Sequence, residues 1–263
     1  MGLFKEELNC LRPNLGEKVG ALFTEREGGV SSGPSGGAEG IMGLNVGVHV
    51  GDNAGCVNMN RQIVGQLCPS QPRWMTQVHG IKVVDAESVE DDQEAADAQT
   101  SVTPGVVCAV QVADCLPVLL AEQNGRAVGA VHAGWRSLAG GIIEATVARM
   151  RERLADPQAV IKAWLGPRIG FEHFETGADV PEMFLAKYAE GADYVQQKGE
   201  GKYLVDLAGF AHVALERAGV RDVEDCKLST FADPQRFYSY RRDGEKTGRH
   251  AALVWINRES KED

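Results

Sequence analysis

The chain has no apolar stretch that approaches the ~20 residues a helix needs to cross a bilayer. Its first residues, Met1-Gly2-Leu3-Phe4-Lys5-Glu6-Glu7, lack the basic region and apolar core of a secretory signal. The expected setting is therefore the cytoplasm, with no membrane partner. Positive charge is scarce, since 27 Lys and Arg face 37 Asp and Glu for a formal net charge of -10. A field of that sign repels phosphate backbones and argues against nucleic acid as a partner, although a local arginine cluster can still hold a small anion. Neither a G-x-G-x-x-G nor a P-loop pattern occurs, so dinucleotides and nucleoside triphosphates have no visible cradle. Six scattered cysteines (Cys10, Cys56, Cys68, Cys108, Cys115 and Cys226) do not form the framework of a small secreted domain. They read as free thiols. No C-x-x-C or H-x-x-x-H pair is present either, so a metal site would have to be gathered from distant segments.

What is present is enough to build a core: 263 residues, 43% of them hydrophobic, are within the range of one domain. A Val19 to Thr24 strand is followed at 27–43 by a Gly, Ser and Pro-rich stretch that reads as a mobile surface loop. Alternation over 44–52 predicts a half-buried strand, and Asp52 or Asn53 can cap a helix reaching Leu67. Residues 73–77 and 81–84 read as strand on either side of His79, and the acidic stretch 87–98 as a solvated connection. Two apolar runs, 106–112 and 117–122, flank Ala113-Asp114-Cys115. Asn124-Gly125 then signals a hairpin that would set Cys115 and His132 on neighbouring antiparallel strands.

Apolar spacing over 137–154 predicts one amphipathic helix, opening directly after His132-Ala133-Gly134-Trp135-Arg136 in a setting suited to anions. Further on, 160–165 reads as strand, 180–188 and 204–218 as helices, and 229–240 with 251–256 as strands closing a sheet. Strands in both halves with helices between them, without regular βα alternation, predict an α+β domain of layered sheets.

Three of these segments place a metal-capable or nucleophilic side chain where a strand-like run meets a turn: His79, Cys115 and His132. Taken singly, a cysteine after an apolar run is commonly a buried thiol, and a histidine at a strand end a satisfied core or surface group. Together, two imidazoles and a thiolate suit zinc and leave a fourth tetrahedral position for water or substrate.

The ordered motifs carry a resemblance. Arg26-Glu27-Gly28-Gly29-Val30-Ser31, Leu44-Asn45-Val46-Gly47, Asn60-Arg61, Gln77-Val78-His79-Gly80, Ala96-Asp97-Ala98, Ala113-Asp114-Cys115-Leu116-Pro117, His132-Ala133-Gly134-Trp135-Arg136, Leu165-Gly166-Pro167, Phe237-Tyr238-Ser239-Tyr240-Arg241-Arg242-Asp243 and Thr247-Gly248-Arg249 span nearly the whole chain. In them the sequence resembles the multicopper-polyphenol-oxidase-like, or laccase-domain, family, whose members include purine nucleoside phosphorylases and a peptidoglycan-editing amidase. The resemblance implies a single domain over 1–263, a layered αββα sandwich with mixed and antiparallel sheets, and one Zn²⁺ bound by His79, Cys115 and His132. Copper is the poorer fit, since a laccase needs a far richer histidine set. One departure is Ser229-Thr230, where the family commonly has Cys before Thr; it puts any metal or redox role of that position in doubt.

The activities implied are phosphorolysis of purine nucleosides, including 5′-methylthioadenosine, and deamination of adenosine, with purine nucleosides and phosphate as partners. In that reading His79, Cys115, His132 and Asp114 are the catalytic set. Arg61 would hold phosphate or ribose, with Asn45 and Gln77 as neutral substrate contacts. Asp114 reads equally as an acid or base and as a group orienting a zinc histidine. Arg136, Arg241 and Arg242 read as ion pairs at the sheet ends. Two alternatives stand beside this: a Cys/His or zinc amidase acting on misincorporated residues in UDP-muramyl peptide precursors, and a non-catalytic zinc-binding regulatory protein, for which a closed four-ligand site would be expected.

Overall fold

Period-two burial organises the molecule. In the computed structural model, which describes residues 8–90 and 92–258, a first sheet runs in the order β1 (Cys10–Leu11), β2 (Val19–Thr24), β14 (His250–Ile256), β6 (Val107–Val112), with every pair antiparallel. A second follows the order β13 (Asp222–Asp225), β9 (Ile161–Leu165), β7 (Leu116–Glu122), β8 (Val128–Ala133), β5 (Ala98–Ser101), β4 (Val83–Asp85). Its two outer pairs are parallel and its inner pairs antiparallel. A small antiparallel sheet of β10 (Glu175–Thr176), β12 (Lys202–Val205) and β11 (Val195–Gly199) lies to one side in the topology. The N-terminal stretch 1–7, on which the expected lack of a secretory signal rests, lies outside the described residues.

Successive side chains of a strand point to opposite faces, and the two main sheets use this to bury both. Phe23, Val110, Val112, Leu119, Val128, Trp164, Ala252 and Val254 fill the space between them. The outer face of the first sheet packs Leu22, Val107, Ala109 and Leu253 with Ile63 and Val64 of α1 (Ala54–Gly65) and with Trp74. The outer face of the second packs Val118, Leu120 and Val131 against α2 (Trp135–Gly140), α3 (Ile142–Arg153), α4 (Asp179–Lys187) and α5 (Leu207–Arg217). The layers are thus helix, sheet, sheet, helix, the expected αββα order. The strands β6, β7, β8 and β14 are buried along their whole length.

Several local expectations are corrected. The stretch 27–43 is not simply a loop: it holds β3 (Glu27–Ser31) and a 3₁₀ turn at Gly33–Ser35, closed by bridges from Glu27 and Ser31 to Gly43. Asn60 on α1 fixes it, accepting from Val30 N and donating to Ser31 Oγ, Gly43 O and Asn45 O. Glycine is required there by close packing, since a Cβ on Gly43 would stand 2.1 Å from Ser35 O. Among the described residues, 44–52 hold no strand, because the Asn45 side chain turns back on Gly47 and satisfies locally what a ladder would. Asn53 caps α1 by accepting from Gly55 N and Cys56 N. The run 73–77 makes only single bridges, at Arg73 and Thr76. The segment 229–240 has no strand among the described residues and buries Phe237 and Tyr238 from an irregular path. The expected helix over 204–218 begins later, because β12 takes Leu204 and Val205 and Asp206 caps α5 at Ala208 N.

The helix expected over 137–154 is two helices, broken where Gly141 takes a φ of 99°. This break turns α3 onto the sheet so that Ile142, Ile143, Val147 and Met150 are buried together. Gly141→Ala should lower stability by about 1–2 kcal/mol, the cost of a side chain in a left-handed conformation, read as a lower melting temperature. The Lys187 ammonium near that Cβ position is the end of a flexible chain and can move aside. An unchanged or raised melting temperature would mean that the break is not set by this φ.

Candidate metal centre

The hairpin of β7 and β8 brings the first two site residues together. Buried Glu122 accepts from Asn124 N, Asn124 Nδ2, Arg126 N and Arg126 Nη2 at 2.9–3.2 Å, which locks the turn. The resulting register pairs Pro117 with His132 and Leu116 with Ala133. Cys115, one residue before β7, therefore emerges beside His132. His79 arrives from the turn after Thr76 with a φ of 58°, a left-handed conformation unfavourable for a residue with a Cβ.

Asp97 holds that turn in place. Its carboxylate accepts from His79 N at 2.9 Å, Gly80 N at 2.7 Å and Val78 N at 3.2 Å, and its Oδ1 lies 2.8 Å from His132 Nδ1. An ionised carboxylate has no proton to give, so His132 Nδ1 carries the hydrogen and Nε2 is left as the ligand atom. The ligand atoms of His79, Cys115 and His132 all lie within 4.8 Å of one another. The two imidazole centroids are 4.7 Å apart with planes tilted by 66°. Gly134 closes this cluster with bare backbone: a Cβ there would come within 2.5 Å of His79 Nδ1 and 3.3 Å of Cys115 Sγ.

The electrostatics follow from this crowding. Burial would raise the Asp97 pKa, but hydrogen bonds from His132 and from the Gly80 and Val78 amides hold it below the usual carboxylate range. For His132 burial disfavours the cation, yet the Cys115 thiolate and the Asp97 carboxylate outweigh it and push the pKa up to about 9. His79 is driven the other way, down to about 4, by burial first and then by the His132 charge. One imidazole is thus kept neutral beside another that is stabilised as a cation when Cys115 is ionised, and a metal ion bound to the trio would replace that proton.

Of the other expected site residues, Asp114 and Gln77 line the cavity beside the trio, whereas Asn45 and Arg61 do not. Asp114, at φ 89°, spends its carboxylate on Thr230 Oγ1 at 2.6 Å, Ser239 Oγ at 3.0 Å and Arg241 N at 2.6 Å. Orienting a ligand histidine falls to Asp97 instead, and Asp114 ties the 229–241 segment to the Cys115 strand end. Gln77 lines the cavity, but its amide is used on the backbone of Gln111, accepting from N and donating to O. Asn45 and Arg61 do not line it. Asn45 is buried against Gly47, Asp52 and Arg249 N. Arg61 donates to Val46 O, pairs with Asp92 through two nitrogens and lies over Trp74. Ser229 Oγ accepts from Gly170 N and Ala232 N, a structural use of the hydroxyl.

Asp97 lies hidden in an acidic stretch that reads as solvated. The visible signal is its alanine neighbours, which mark it as the last acid before a buried strand. His49, Arg136, Arg241 and Arg249 also line the cavity of about 430 Å³ above the trio, together with Trp135, Phe174 and Tyr240. That volume is within the range of small-molecule sites. Arg242 does form an ion pair, with Asp243. Arg136, Arg241 and Arg249 have no carboxylate in salt-bridge range among the described residues, which corrects the expectation for the first two.

Comparison with known proteins agrees with this architecture. Residues 20–257 match the family model described as multi-copper polyphenol oxidoreductase laccase. A Pseudomonas aeruginosa protein named purine nucleoside phosphorylase is 40% identical over 240 residues, covering 91% of this chain and 94% of its own. The Escherichia coli purine nucleoside phosphorylase YfiH is 42% identical over 241 residues, covering 90% and 94%. The crystal structure of Neisseria meningitidis protein NMB0706 superposes with a TM-score of 0.87 at 40% identity, covering 95% of this chain and all of that one.

The role of Asp97 is testable apart from any reaction. Asp97→Asn turns an N–H donor toward a ring of donors, so both histidines should lose their fixed orientation. Affinity for added Zn²⁺ should fall about 10–100-fold, as for other groups that orient metal ligands, measured by competition with a chromophoric chelator. Unchanged affinity would show that packing alone holds His79 and His132.

Proposed function

The chain belongs to the multi-copper polyphenol oxidoreductase laccase family, and we propose that it is a zinc-dependent purine nucleoside phosphorylase that also deaminates adenosine and cleaves 5′-methylthioadenosine. The observation that carries the reading is the convergence of His79, Cys115 and His132 on one point in a cavity of small-molecule size. The names of the relatives point to the same class of substrate.

The donor set favours zinc. Two imidazoles and one thiolate suit a single Zn²⁺. A multi-copper centre needs many histidines, and only two of the six in the chain are at this cluster. Zinc held by the trio would supply Lewis acidity and, in its open position, a water acidic enough to act as a nucleophile near neutral pH.

The rest is done by the protein. Val112, Ile169 and Leu207 give the cavity an apolar wall against which the face of a purine can pack. In phosphorolysis a phosphate oxygen bonds to C1′ as the C1′–N9 bond breaks; its electrons leave with the purine, which gains a proton, and the products are free base and ribose 1-phosphate. Asp97 keeps His132 in one tautomer, and Gly134 leaves room for the trio.

One observation favours a second reading. Cys115 Sγ lies within 4.8 Å of a His132 ring nitrogen, and Asp97 lies behind His132 at 2.8 Å. Without metal this is a thiol nucleophile, a base and an orienting acid, the set an amidase would use on a muramyl peptide precursor. A purely structural zinc site is less well supported, because three ligands leave the shell open.

Purified protein should release free purine and ribose 1-phosphate from at least one of adenosine, inosine, guanosine and 5′-methylthioadenosine, at a rate that rises with phosphate concentration. Chelation should abolish this and added Zn²⁺ restore it. Cys115→Ala should lose both zinc and turnover while its circular dichroism stays the same, since a ligand at a strand end contributes more to the metal than to the core. Retained zinc with lost turnover, or turnover of the muramyl precursor alone, would transfer the assignment to the amidase.

A further inference from the structure

Arg249 is half-buried at the cavity, where a charge normally acquires a carboxylate partner. It has none among the described residues. Nη1 donates to Thr247 O at 2.7 Å and Gly248 O at 3.1 Å, and no described group accepts from Nε or Nη2. Its placement is built rather than incidental. The Arg249 amide donates to Asn45 Oδ1 at 2.9 Å, and its side chain crosses Gly47 so closely that a Cβ there would stand 2.7 Å from Arg249 Cγ. The Leu44-Asn45-Val46-Gly47 motif therefore aims Arg249, although Asn45 does not itself reach the cavity.

Two further arginines line the same cavity, and all three are mounted on aromatic rings: Arg136 over Trp135 at 4.1 Å, Arg241 over Phe174 at 5.5 Å and Arg249 over Tyr240 at 5.8 Å. A ring face steadies a guanidinium without cancelling its charge or occupying its in-plane donors. The donors left over on Arg249 and Arg241 suit a tetrahedral oxyanion, which accepts several N–H groups at once. Arg241 is tied to the metal-ligand strand through its amide on Asp114, one residue from Cys115.

We propose that Arg249, with Arg136 and Arg241, forms the subsite that binds inorganic phosphate beside the His-Cys-His cluster, in the place assigned from sequence to Arg61. This rests on the phosphorylase reading for its use, but not for the binding itself. Arg249 is the anchor, and the two exposed arginines add charge at the mouth.

The test is calorimetric titration of zinc-loaded protein with inorganic phosphate, and separately with adenosine 5′-monophosphate, at fixed ionic strength. Wild type should bind inorganic phosphate, and Arg249→Met should bind it about tenfold more weakly or worse, the loss expected for one charge-assisted contact. Arg249→Lys should recover only part, because it restores charge but not the fork of donors. Gly47→Ala, outside the cavity lining, should weaken phosphate by displacing Arg249. In turnover these variants should raise KM for phosphate more than KM for the nucleoside. Phosphate binding that depends on Arg249 supports the subsite even where no nucleoside is cleaved, and then the phosphorylase reading falls alone. Absent binding in wild type, equal binding by Arg249→Met at unchanged melting temperature, or Arg249-dependent binding of the monophosphate ester without inorganic phosphate would overturn the proposal.

Discussion

A single buried carboxylate joins the parts of this site. Asp97 takes three amide hydrogens from the turn carrying one histidine and an imidazole hydrogen from the other. Its own carbonyl accepts from His132 N, so backbone and side chain act on the same residue. Burying a carboxylate is costly unless it is well supplied with donors, and here the donors are the elements that must be held. The left-handed backbone at His79 persists because three consecutive amides are aimed at that one acceptor. The turn cannot relax without leaving the charge underbonded, so the cost of burial becomes a constraint on the position of the ligand.

Asp114 makes the complementary connection. Asp97 joins the two histidines, whereas Asp114, beside the cysteine, collects Thr230, Ser239 and the Arg241 amide from a segment more than a hundred residues away. The β7–β8 hairpin fixes Cys115 against His132, and Asp114 fixes the arginine-bearing segment against Cys115. The metal-capable cluster and the cavity arginine are thereby held to the same strand end. Each acid thus sets the distance between side chains that line the cavity.

The layered core and the metal-capable trio are legible in the sequence because both leave compositional or chemical traces: the apolar runs of β6 and β7, the Asn-Gly hairpin, a thiol and two imidazoles at strand ends. Helix α1 is legible from its cap. What is not legible depends on distant partners. Arg61 looks like a free cation in the chain, and only the fold shows Asp92 meeting it 31 residues later. Asp97 looks solvated among its acidic neighbours until β5 carries it into the interior. The 27–43 stretch has the composition of a flexible loop, yet its glycines serve close backbone packing around Asn60. Gly141 breaks a helix whose apolar spacing runs straight through it.

The opposition between a net charge of -10 and the proposed anion subsite resolves with distance. At physiological ionic strength charges more than about 8 Å away across solvent are largely screened, so a small anion at the cavity responds mainly to the groups that line it. The surplus of carboxylates makes pairing the ordinary outcome for an arginine here, as Arg61, Arg168 and Arg236 illustrate with Asp92, Asp225 and Glu25. Arg249 escapes it because its immediate surroundings offer carbonyls and an aromatic face instead. Burial lowers its pKa, while Cys115 and Asp114 pull in the other direction, and an arginine remains charged through such shifts. The cavity therefore retains a cation whose desolvation is only partly offset by the protein, and an incoming oxyanion can complete its hydrogen bonding.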